Sequence, residues 1–351
     1  MRSKVFILRV SQEAIHVMRT LRVLLCLAVL ASCAQAQTTI NGAGATFPYP
    51  IYSKWFSDYH NQHSDIQFNY QSIGSGGGIR QVQAGTVDFG ATDGPMSDQQ
   101  IGESKVKVLH LPTVLGAVVP AYNIPGVNEE VKFTPDLLAG IYLGKISNWN
   151  DAAIAKVNPN IKFPNQNITV VHRSDGSGTT YIFTDYLSKV SSEWAGGPGK
   201  GTSVKWPVGM GGKGNEGVAG NLKMLPGSIG YVELIYALQN KINYGSVQNS
   251  SKNFVKASLD STTAAAAGVK MPADFRVSIT NPTGKNAYPI ASFTWLLIPL
   301  QPKDANKGKI IKDFLGWMLD QGQGMVSQLS YAPLPTDVVA AEKAAIAKQL
   351  K

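Results

Sequence analysis

A strand that runs into a glycine-rich loop is encoded by Ile168-Thr169-Val170-Val171-His172-Arg173-Ser174-Asp175-Gly176-Ser177-Gly178-Thr179-Thr180, and a helical pattern follows from Tyr181. A loop that joins a strand to a helix in this way aims unpaired backbone N–H groups at one point, which makes an anion site. The loop also carries an arginine, hydroxyl groups and a carboxylate. These groups can hold a small, oxygen-rich anion without a metal ion.

Three further clusters of polar residues also follow strand patterns. They are Thr46-Phe47, Ser75 with the glycines after it, and Asp93. Ligands of open α/β sheets bind outside the carboxyl ends of the strands, so we expect the four clusters to converge on one site. Ordinary turn chemistry also explains each cluster taken alone, because glycine, serine, threonine and aspartate are the commonest turn residues.

The charged residues of these clusters have a structural as well as a functional interpretation. Arg173 and Asp175 can form an ion pair beside a helix cap, and Asp175 would then orient the guanidinium while its remaining donors face a ligand. Asp93 repels an anion unless that anion carries a proton, because only a ligand O–H can donate to a carboxylate. A site that contains Asp93 therefore accepts phosphate and rejects sulfate.

The rest of the chain alternates between strand and helix patterns, which predicts an α/β fold with a mostly parallel sheet covered by helices. A helix is expected from Ile79, after a glycine-rich loop, and buried strands are expected at 114–121 and 293–300. The sequence contains no internal repeat and no low-complexity linker. Two domains would therefore be interleaved and joined by strand crossovers at about 113–120 and 288–295.

The N-terminus has the composition of a targeting segment. Arg19 and Arg22 precede the apolar run 23–30, which is too short to span a bilayer, and small residues follow it. We expect a cleaved signal peptide over residues 1–36, with Ala34-Gln35-Ala36 as the cleavage signal, and hence a periplasmic protein.

A second interpretation of this segment is a lipoprotein signal, in which an acylated Cys33 tethers the protein to the membrane. Met18 is an alternative start to Met1. Both cysteines, Cys26 and Cys33, lie in this segment, so cleavage after Ala36 would leave an exported protein without a disulfide.

Charge and composition argue against several classes of protein. The 351 residues are 44% hydrophobic and 16% charged, which is typical of globular proteins. The net charge of +9 falls to +5 without residues 1–36, which leaves 27 basic against 22 acidic residues. This surplus is too diffuse to indicate nucleic acid binding. The histidines lack the spacing of a metal site, and the dinucleotide pattern at 209–214 carries little weight alone.

Long motifs in a fixed order are more specific than any single loop. The chain contains four of them: Asn41-Gly42-Ala43-Gly44-Ala45-Thr46-Phe47-Pro48, Ile73-Gly74-Ser75-Gly76-Gly77-Gly78, Val87-Asp88-Phe89-Gly90-Ala91-Thr92-Asp93 and Arg173-Ser174-Asp175-Gly176-Ser177-Gly178-Thr179. Together they resemble the phosphate-binding protein of Pst-type ABC importers. The likeness extends from about residue 39 to the end of the chain.

The resemblance implies a periplasmic binding protein type II fold, in which two interleaved α/β lobes close over a ligand. Lobe I would comprise 37–115 and 291–351, and lobe II would comprise 116–290. The implied ligand is inorganic phosphate, without a cofactor or metal. The implied protein is a monomer that delivers phosphate to transmembrane permease subunits with a cytoplasmic ATPase. The residues that the resemblance places on phosphate are Thr46, Phe47, Ser75, Asp93, Arg173, Ser177, Gly178 and Thr179, with Asp175 supporting Arg173.

Two other functions stay open at this stage. A binding protein for sulfate or molybdate would use the same donors, although Asp93 argues against both anions. A secreted phosphatase would need a nucleophile with a base, or a metal site, and the sequence has neither pattern.

Overall fold

The computed structural model describes His16 and residues 37–350. The expected signal peptide over residues 1–36 lies outside the described residues, apart from His16, and so do its cleavage signal, the alternative start and the alternative tether at Cys33. These features of the N-terminus stay predictions. Among the described residues, no helix has both the length and the apolar character needed to cross a bilayer.

Strands and helices alternate in the first part of the chain. Its elements are β1 (Thr38–Gly44), α1 (Tyr49–Gln62), β2 (Ile66–Ser72), α2 (Ser75–Ala84), β3 (Phe89–Thr92) and α3 (Asp98–Glu103). Helix α1 has apolar residues at every third or fourth position, and this face is buried against the sheet. The aromatic ring of Phe56 in α1 lies parallel to that of Phe68 in β2, with 4.8 Å between the ring centroids.

One long strand connects the two halves of the large sheet. Strand β4 (Val108–Asn123) is buried along nearly its whole length. Its residues 108–117 pair with β12 (Ala291–Pro299), whereas residues 118–123 pair with β8 (Ser228–Glu233). The buried strands that the sequence predicts near the two crossovers are therefore both present.

The second half of the sheet is built from the chain between β4 and β12. Its other elements are β5 (Lys132–Phe133), α4 (Pro135–Tyr142), α5 (Ala152–Val157), β6 (Thr169–Arg173), α6 (Gly178–Val190), α7 (Ser192–Gly196), β7 (Met210–Gly212), α8 (Gly214–Met224), α9 (Leu234–Gln239), β9 (Asn243–Tyr244), β10 (Ser246–Gln248), β11 (Phe254–Val255) and α10 (Leu259–Ala266). The short strands β5, β10 and β11 form a separate small sheet.

The chain after β12 returns to the first half. Its elements are α11 (Ala305–Asp320), a 3-10 helix (Gly322–Leu329) and α12 (Thr336–Gln349). Phe314 of α11 packs against Phe56 and Phe68, with ring centroids 5.4 and 4.7 Å away. The C-terminal helices thus complete the core of the first half.

The large sheet has an antiparallel centre between two parallel flanks. Its strand order is β2-β1-β3-β12-β4-β8-β6-β7, and β9 also pairs with β4. On the flanks, β1 runs parallel to β2 and β3, and β6 runs parallel to β7 and β8. In the centre, β12 and β4 run antiparallel to their neighbours. The α/β class predicted from the sequence is confirmed. The prediction of a mostly parallel sheet holds only for the flanks, because the central strands β4 and β12 run antiparallel to their neighbours and make the sheet mixed.

We propose that the two halves of this sheet correspond to the two lobes. Lobe I would then comprise 37–115 and 291–351, and lobe II would comprise 116–290. The proposal rests on the change of partner along β4 between Ala117 and Val118, because each side of that point pairs with only one half.

Two helices begin one turn earlier than the sequence pattern indicates. Helix α2 begins at Ser75 and not at Ile79, and α6 begins at Gly178 and not at Tyr181. These predictions were wrong because glycine disfavours helices in general, which hid the first turn of each. At Gly78 glycine is required for space, since a Cβ there would lie 2.6 Å from backbone atoms of β1 and β3.

Candidate anion-binding site

The structure brings the four polar clusters together at the junction of the two lobes. Ser75 and Asp93 come from the proposed lobe I, and a Cβ at Gly178 of the proposed lobe II would lie 2.5 Å from the Cβ of Asp93. Across the same junction, Gly76 donates its N–H to the Gly176 oxygen at 2.8 Å. The candidate site residues are buried, with at most 4% exposure for Thr46, Phe47, Ser75, Asp93, Arg173, Ser177 and Thr179, and Gly178 is buried as well.

Arg173 is held at the end of β6 by Asp175. It donates from Nε to Oδ1 at 2.8 Å and from Nη2 to Oδ2 at 2.5 Å. Burial alone would raise the pKa of Asp175, but the hydrogen bonds and charge of Arg173 outweigh burial and hold that pKa below its ordinary value. The N–H of Gly214 also donates to Asp175 at 3.0 Å. This pairing fixes the plane of the guanidinium and leaves Nη1, which reaches Thr179 Oγ1 at 3.2 Å, facing the cluster.

Asp93 places a carboxyl group in the middle of the donors. Thr294 donates its hydroxyl to Asp93 Oδ1 at 2.8 Å, and Ser75 Oγ lies 3.4 Å from Oδ2. Burial raises the pKa of Asp93 to about 7, against the opposing effects of Thr294, Arg173 and Ser75. The carboxyl therefore changes between its charged and neutral forms near neutral pH.

Helix starts supply backbone donors to the site. The first N–H groups of a helix have no acceptor within the helix and carry partial positive charge. Ser177 caps α6 by accepting from the N–H of Thr180 at 3.0 Å, which leaves the N–H groups of Gly178 and Thr179 without an acceptor in the helix. Ser75 is the first residue of α2, the position that Gly178 has in α6.

Thr46 and Phe47 lie in the turn between β1 and α1. The Thr46 oxygen accepts from Tyr236 Oη at 2.5 Å, and its Oγ1 accepts from Asn215 Nδ2 at 2.8 Å. The Phe47 oxygen accepts from Tyr331 Oη at 2.6 Å. The turn is thus held from both lobes. Among the described residues, the Phe47 N–H has no hydrogen-bond acceptor.

Sequence reasoning missed three residues that hold these groups in place. Thr294 lies in a strand that the sequence marks only as buried core, so nothing in the pattern indicates its bond to Asp93. Asn215 lies in the first turn of α8. The glycine-rich stretch before it was the one feature of the sequence that could have indicated a functional residue here. Tyr236 follows β8 in a short helix, and its contact with Thr46 joins residues 190 positions apart.

The dinucleotide-like pattern at 209–214 has a place in this arrangement. It forms β7 and the start of α8, parallel to β6, and Gly214 donates to the carboxylate that orients Arg173. Within the described part of the chain, no three His, Cys, Asp or Glu side chains are grouped so that they could hold a metal ion.

A mixed α/β sheet shared by two lobes, with a buried cluster of anion donors at their junction, defines a two-lobed solute-binding protein. The family model described as a PBP superfamily domain matches residues 31–321. The phosphate-binding protein PstS of Xylella fastidiosa (strain Temecula1) is 47% identical over 315 residues, which cover 89% of this chain and 86% of that protein. PstS of Haemophilus influenzae is 44% identical over 321 residues, which cover 91% and 95%. The chain therefore belongs to the family of PstS phosphate-binding proteins, which are binding proteins and not enzymes.

Solved structures of phosphate-binding proteins share the fold. A high affinity periplasmic phosphate-binding protein with bound phosphate superposes with a TM-score of 0.71 at 21% identity, over 88% of this chain and 93% of that one. The phosphate-binding protein of Stenotrophomonas maltophilia gives a TM-score of 0.67 at 20% identity, over 88% and 94%. At these identities the comparison establishes the architecture alone.

Proposed function

We propose that this chain binds inorganic phosphate in the periplasm and delivers it to transmembrane permease subunits that work with a cytoplasmic ATPase. The protein would act as a monomer, without a cofactor or metal and without nucleic acid. Phosphate would lie at the junction of the lobes, where closure removes it from water.

The observation that carries this proposal is the buried carboxyl of Asp93, which lies among hydrogen-bond donors, whereas the carboxylate of Asp175 is occupied by Arg173. The guanidinium of Arg173, the two threonine hydroxyls of the cluster and the first N–H groups of α6 would donate hydrogen to the ligand. Asp93 would present oxygen. A protonated phosphate has one O–H for Asp93 and oxygens for the donors. A fully deprotonated sulfate would face Asp93 with lone pairs on both sides, and an unmet buried group costs about 1–3 kcal/mol.

Each residue that we propose to contact phosphate then has a distinct role. Arg173 supplies the positive charge, and Asp175 keeps its plane fixed. The remaining donors are the side chains of Thr46, Ser75, Ser177 and Thr179 and the N–H groups of Phe47, Gly178 and Thr179, and Asp93 is the acceptor.

Isothermal titration of ligand-free protein with phosphate, sulfate and molybdate tests the proposal. We expect one phosphate per chain and, from the unmet groups, sulfate affinity lower by roughly a hundredfold. Equal affinities for the three anions would overturn the assignment. Release of phosphate from an ester by metal-free protein would instead revive the secreted phosphatase.

The variant Arg173→Met tests whether binding occurs at this cluster. It removes charge-assisted bonds worth about 1.5–3 kcal/mol each, so we expect phosphate affinity to fall by roughly a hundredfold or more. Lys309→Met is the matched control, because it removes one positive charge from an exposed helix position in lobe I. Equal losses in the two variants would mean that overall charge and not this site holds the anion.

The mass of the mature protein tests the proposed export. Cleavage after Ala36 and acylation at Cys33 give different masses, and only the second leaves lipid on the chain. A mature chain that retains residues 1–36 would contradict both.

A further inference from the structure

Asn215 joins the two lobes through two threonine hydroxyls. Its side-chain amide donates from Nδ2 to Thr46 Oγ1 of lobe I at 2.8 Å and to Thr179 Oγ1 of lobe II at 3.1 Å. The amide oxygen accepts from the Glu233 N–H at 3.0 Å, which fixes which end of the amide carries the hydrogens. Asn215 is fully buried, so water does not compete for these bonds.

The Thr46 hydroxyl receives two hydrogens from Asn215. Besides the bond from Nδ2, the backbone N–H of Asn215 donates to the same Oγ1 at 3.2 Å. A hydroxyl has two acceptor positions and one hydrogen. Both acceptor positions of Thr46 Oγ1 are filled, and no described residue accepts its hydrogen.

The Thr179 hydroxyl is in the same state. Its Oγ1 accepts from Asn215 Nδ2 at 3.1 Å and from Arg173 Nη1 at 3.2 Å. Its hydrogen likewise has no acceptor among the described residues. A threonine hydroxyl can ordinarily rotate to donate or to accept a hydrogen bond. The hydroxyls of Thr46 and Thr179 can only donate a further bond, because both acceptor positions of each are already used.

We infer that Asn215 is a positioning residue that makes Thr46 and Thr179 obligate donors toward the bound anion. The inference rests on the proposed function, since it needs phosphate at this junction. Ligand oxygens without hydrogen meet both hydroxyls favourably, whereas a ligand O–H at either position meets another hydrogen. Asn215 therefore directs the O–H of a protonated phosphate toward Asp93.

The same contacts link this orientation to closure. Thr46 lies in the β1–α1 turn of lobe I, and its Oγ1 satisfies the N–H of Asn215 in the first turn of α8 in lobe II. The Thr46 hydroxyl is thus set as a donor only when the lobes meet, so the donor set is completed at the moment the ligand is enclosed.

Equilibrium dialysis of Asn215→Ala with labelled phosphate, in two backgrounds, tests the inference. In the background Thr46→Ser with Thr179→Ser, both hydroxyls remain, and we expect the change at Asn215 to weaken binding at least tenfold. In the background Thr46→Val with Thr179→Val, there is no hydroxyl to orient, and we expect a loss below threefold. A role of Asn215 in folding alone would cost the same in both backgrounds, and equal losses overturn the inference.

Two further measurements keep the result unambiguous. Should Asn215→Ala not fold, Asn215→Asp retains the acceptor for Glu233 and is measured in the same two backgrounds. Its negative charge weakens both alike, so only a larger loss in the serine background supports the inference, and equal losses overturn it. Wild-type protein that fails to bind phosphate would instead overturn the proposed function itself.

Discussion

Replacement of Gly178 by alanine should prevent tight phosphate binding without harming the fold of either lobe. Gly178 is the first residue of α6, and its φ lies outside the left-handed region, so alanine can adopt the same backbone. The added Cβ would point across the junction into lobe I. There it would lie 2.5 Å from both the Cβ and Oδ2 of Asp93, and it would also contact Ser75 Oγ.

The size of the effect follows from these distances. The optimal van der Waals separation of nonbonded carbon atoms begins at about 3.5 Å, so the lobes must stay roughly 1 Å further apart. That separation would stretch the bond from the Gly76 N–H to the Gly176 oxygen, which is 2.8 Å in this structure, beyond hydrogen-bond range. The contacts that one of the two lobes makes with the bound phosphate would lengthen by the same distance. A loss of about 3 kcal/mol, or roughly a hundredfold in affinity, is the expected result.

Titration calorimetry gives the affinity, and small-angle X-ray scattering with and without phosphate reports closure. Gly220→Ala is the matched control, because Gly220 lies in helix α8 and a Cβ there meets no atom within 4 Å. Both variants should melt near the wild-type temperature. Phosphate binding by Gly178→Ala within threefold of wild type, with normal compaction, would refute the steric reasoning.

Three other predictions concern two buried carboxyl groups and one arginine at the surface. Lowering the pH from 8 to 5.5 should reduce the preference for phosphate over sulfate roughly tenfold, because Asp93, with a pKa that burial raises to about 7, gains a proton that it can donate to sulfate. Calorimetry at both pH values checks this, and Asp93→Asn should show no such change. Glu342 is buried with both carboxyl oxygens unpaired among the described residues, and burial raises its pKa well above the ordinary value. The folded state therefore keeps a proton that the unfolded state loses, and stability falls as pH rises above the unfolded pKa of about 4.3. In urea unfolding, Glu342→Gln should lack this decline of up to about 1.4 kcal/mol per pH unit, and parallel pH profiles would contradict the argument. Arg276 donates at 2.9 Å to the Met96 oxygen and at 2.8 Å to Asp98, whose side chain is 91% exposed. These bonds join residues of the two proposed lobes and so favour the arrangement that encloses the ligand. An exposed ion pair contributes at most about 1 kcal/mol, so Arg276→Ala should accelerate phosphate release in stopped-flow measurements no more than about fivefold.

The sequence was informative where local chemistry dominates. Loops such as Arg173–Thr179 carry their own signal, because a strand must end, glycines must turn the chain and a helix must be capped within a few residues. The apolar spacing of α1 similarly predicts the buried face that the structure shows. The carboxyl-end rule then groups the loops without any knowledge of the strand order.

The sequence was uninformative where partners are far apart in the chain. Thr294 lies 201 positions from the carboxyl group it orients, and Asn215 lies 169 positions from Thr46. A threonine in an apolar strand and an asparagine after glycines are ordinary residues in their local setting. The helix starts at Ser75 and Gly178 were also hidden, because intrinsic propensity opposed what close backbone packing required.

The position of β12 has a consequence for how the protein reaches its native state. β12 lies between β3 and β4 in the sheet, although residues 124–290 separate it from β4 along the chain. Until it inserts, both neighbours expose unpaired N–H and C=O groups along an edge that can recruit other chains. Residues 116–290 are contiguous and can collapse early, whereas lobe I waits for a long-range pairing that is intrinsically slow. We therefore expect the segment of the sheet that is synthesised first to be completed last, with its edge open to pairing with other chains in the interval.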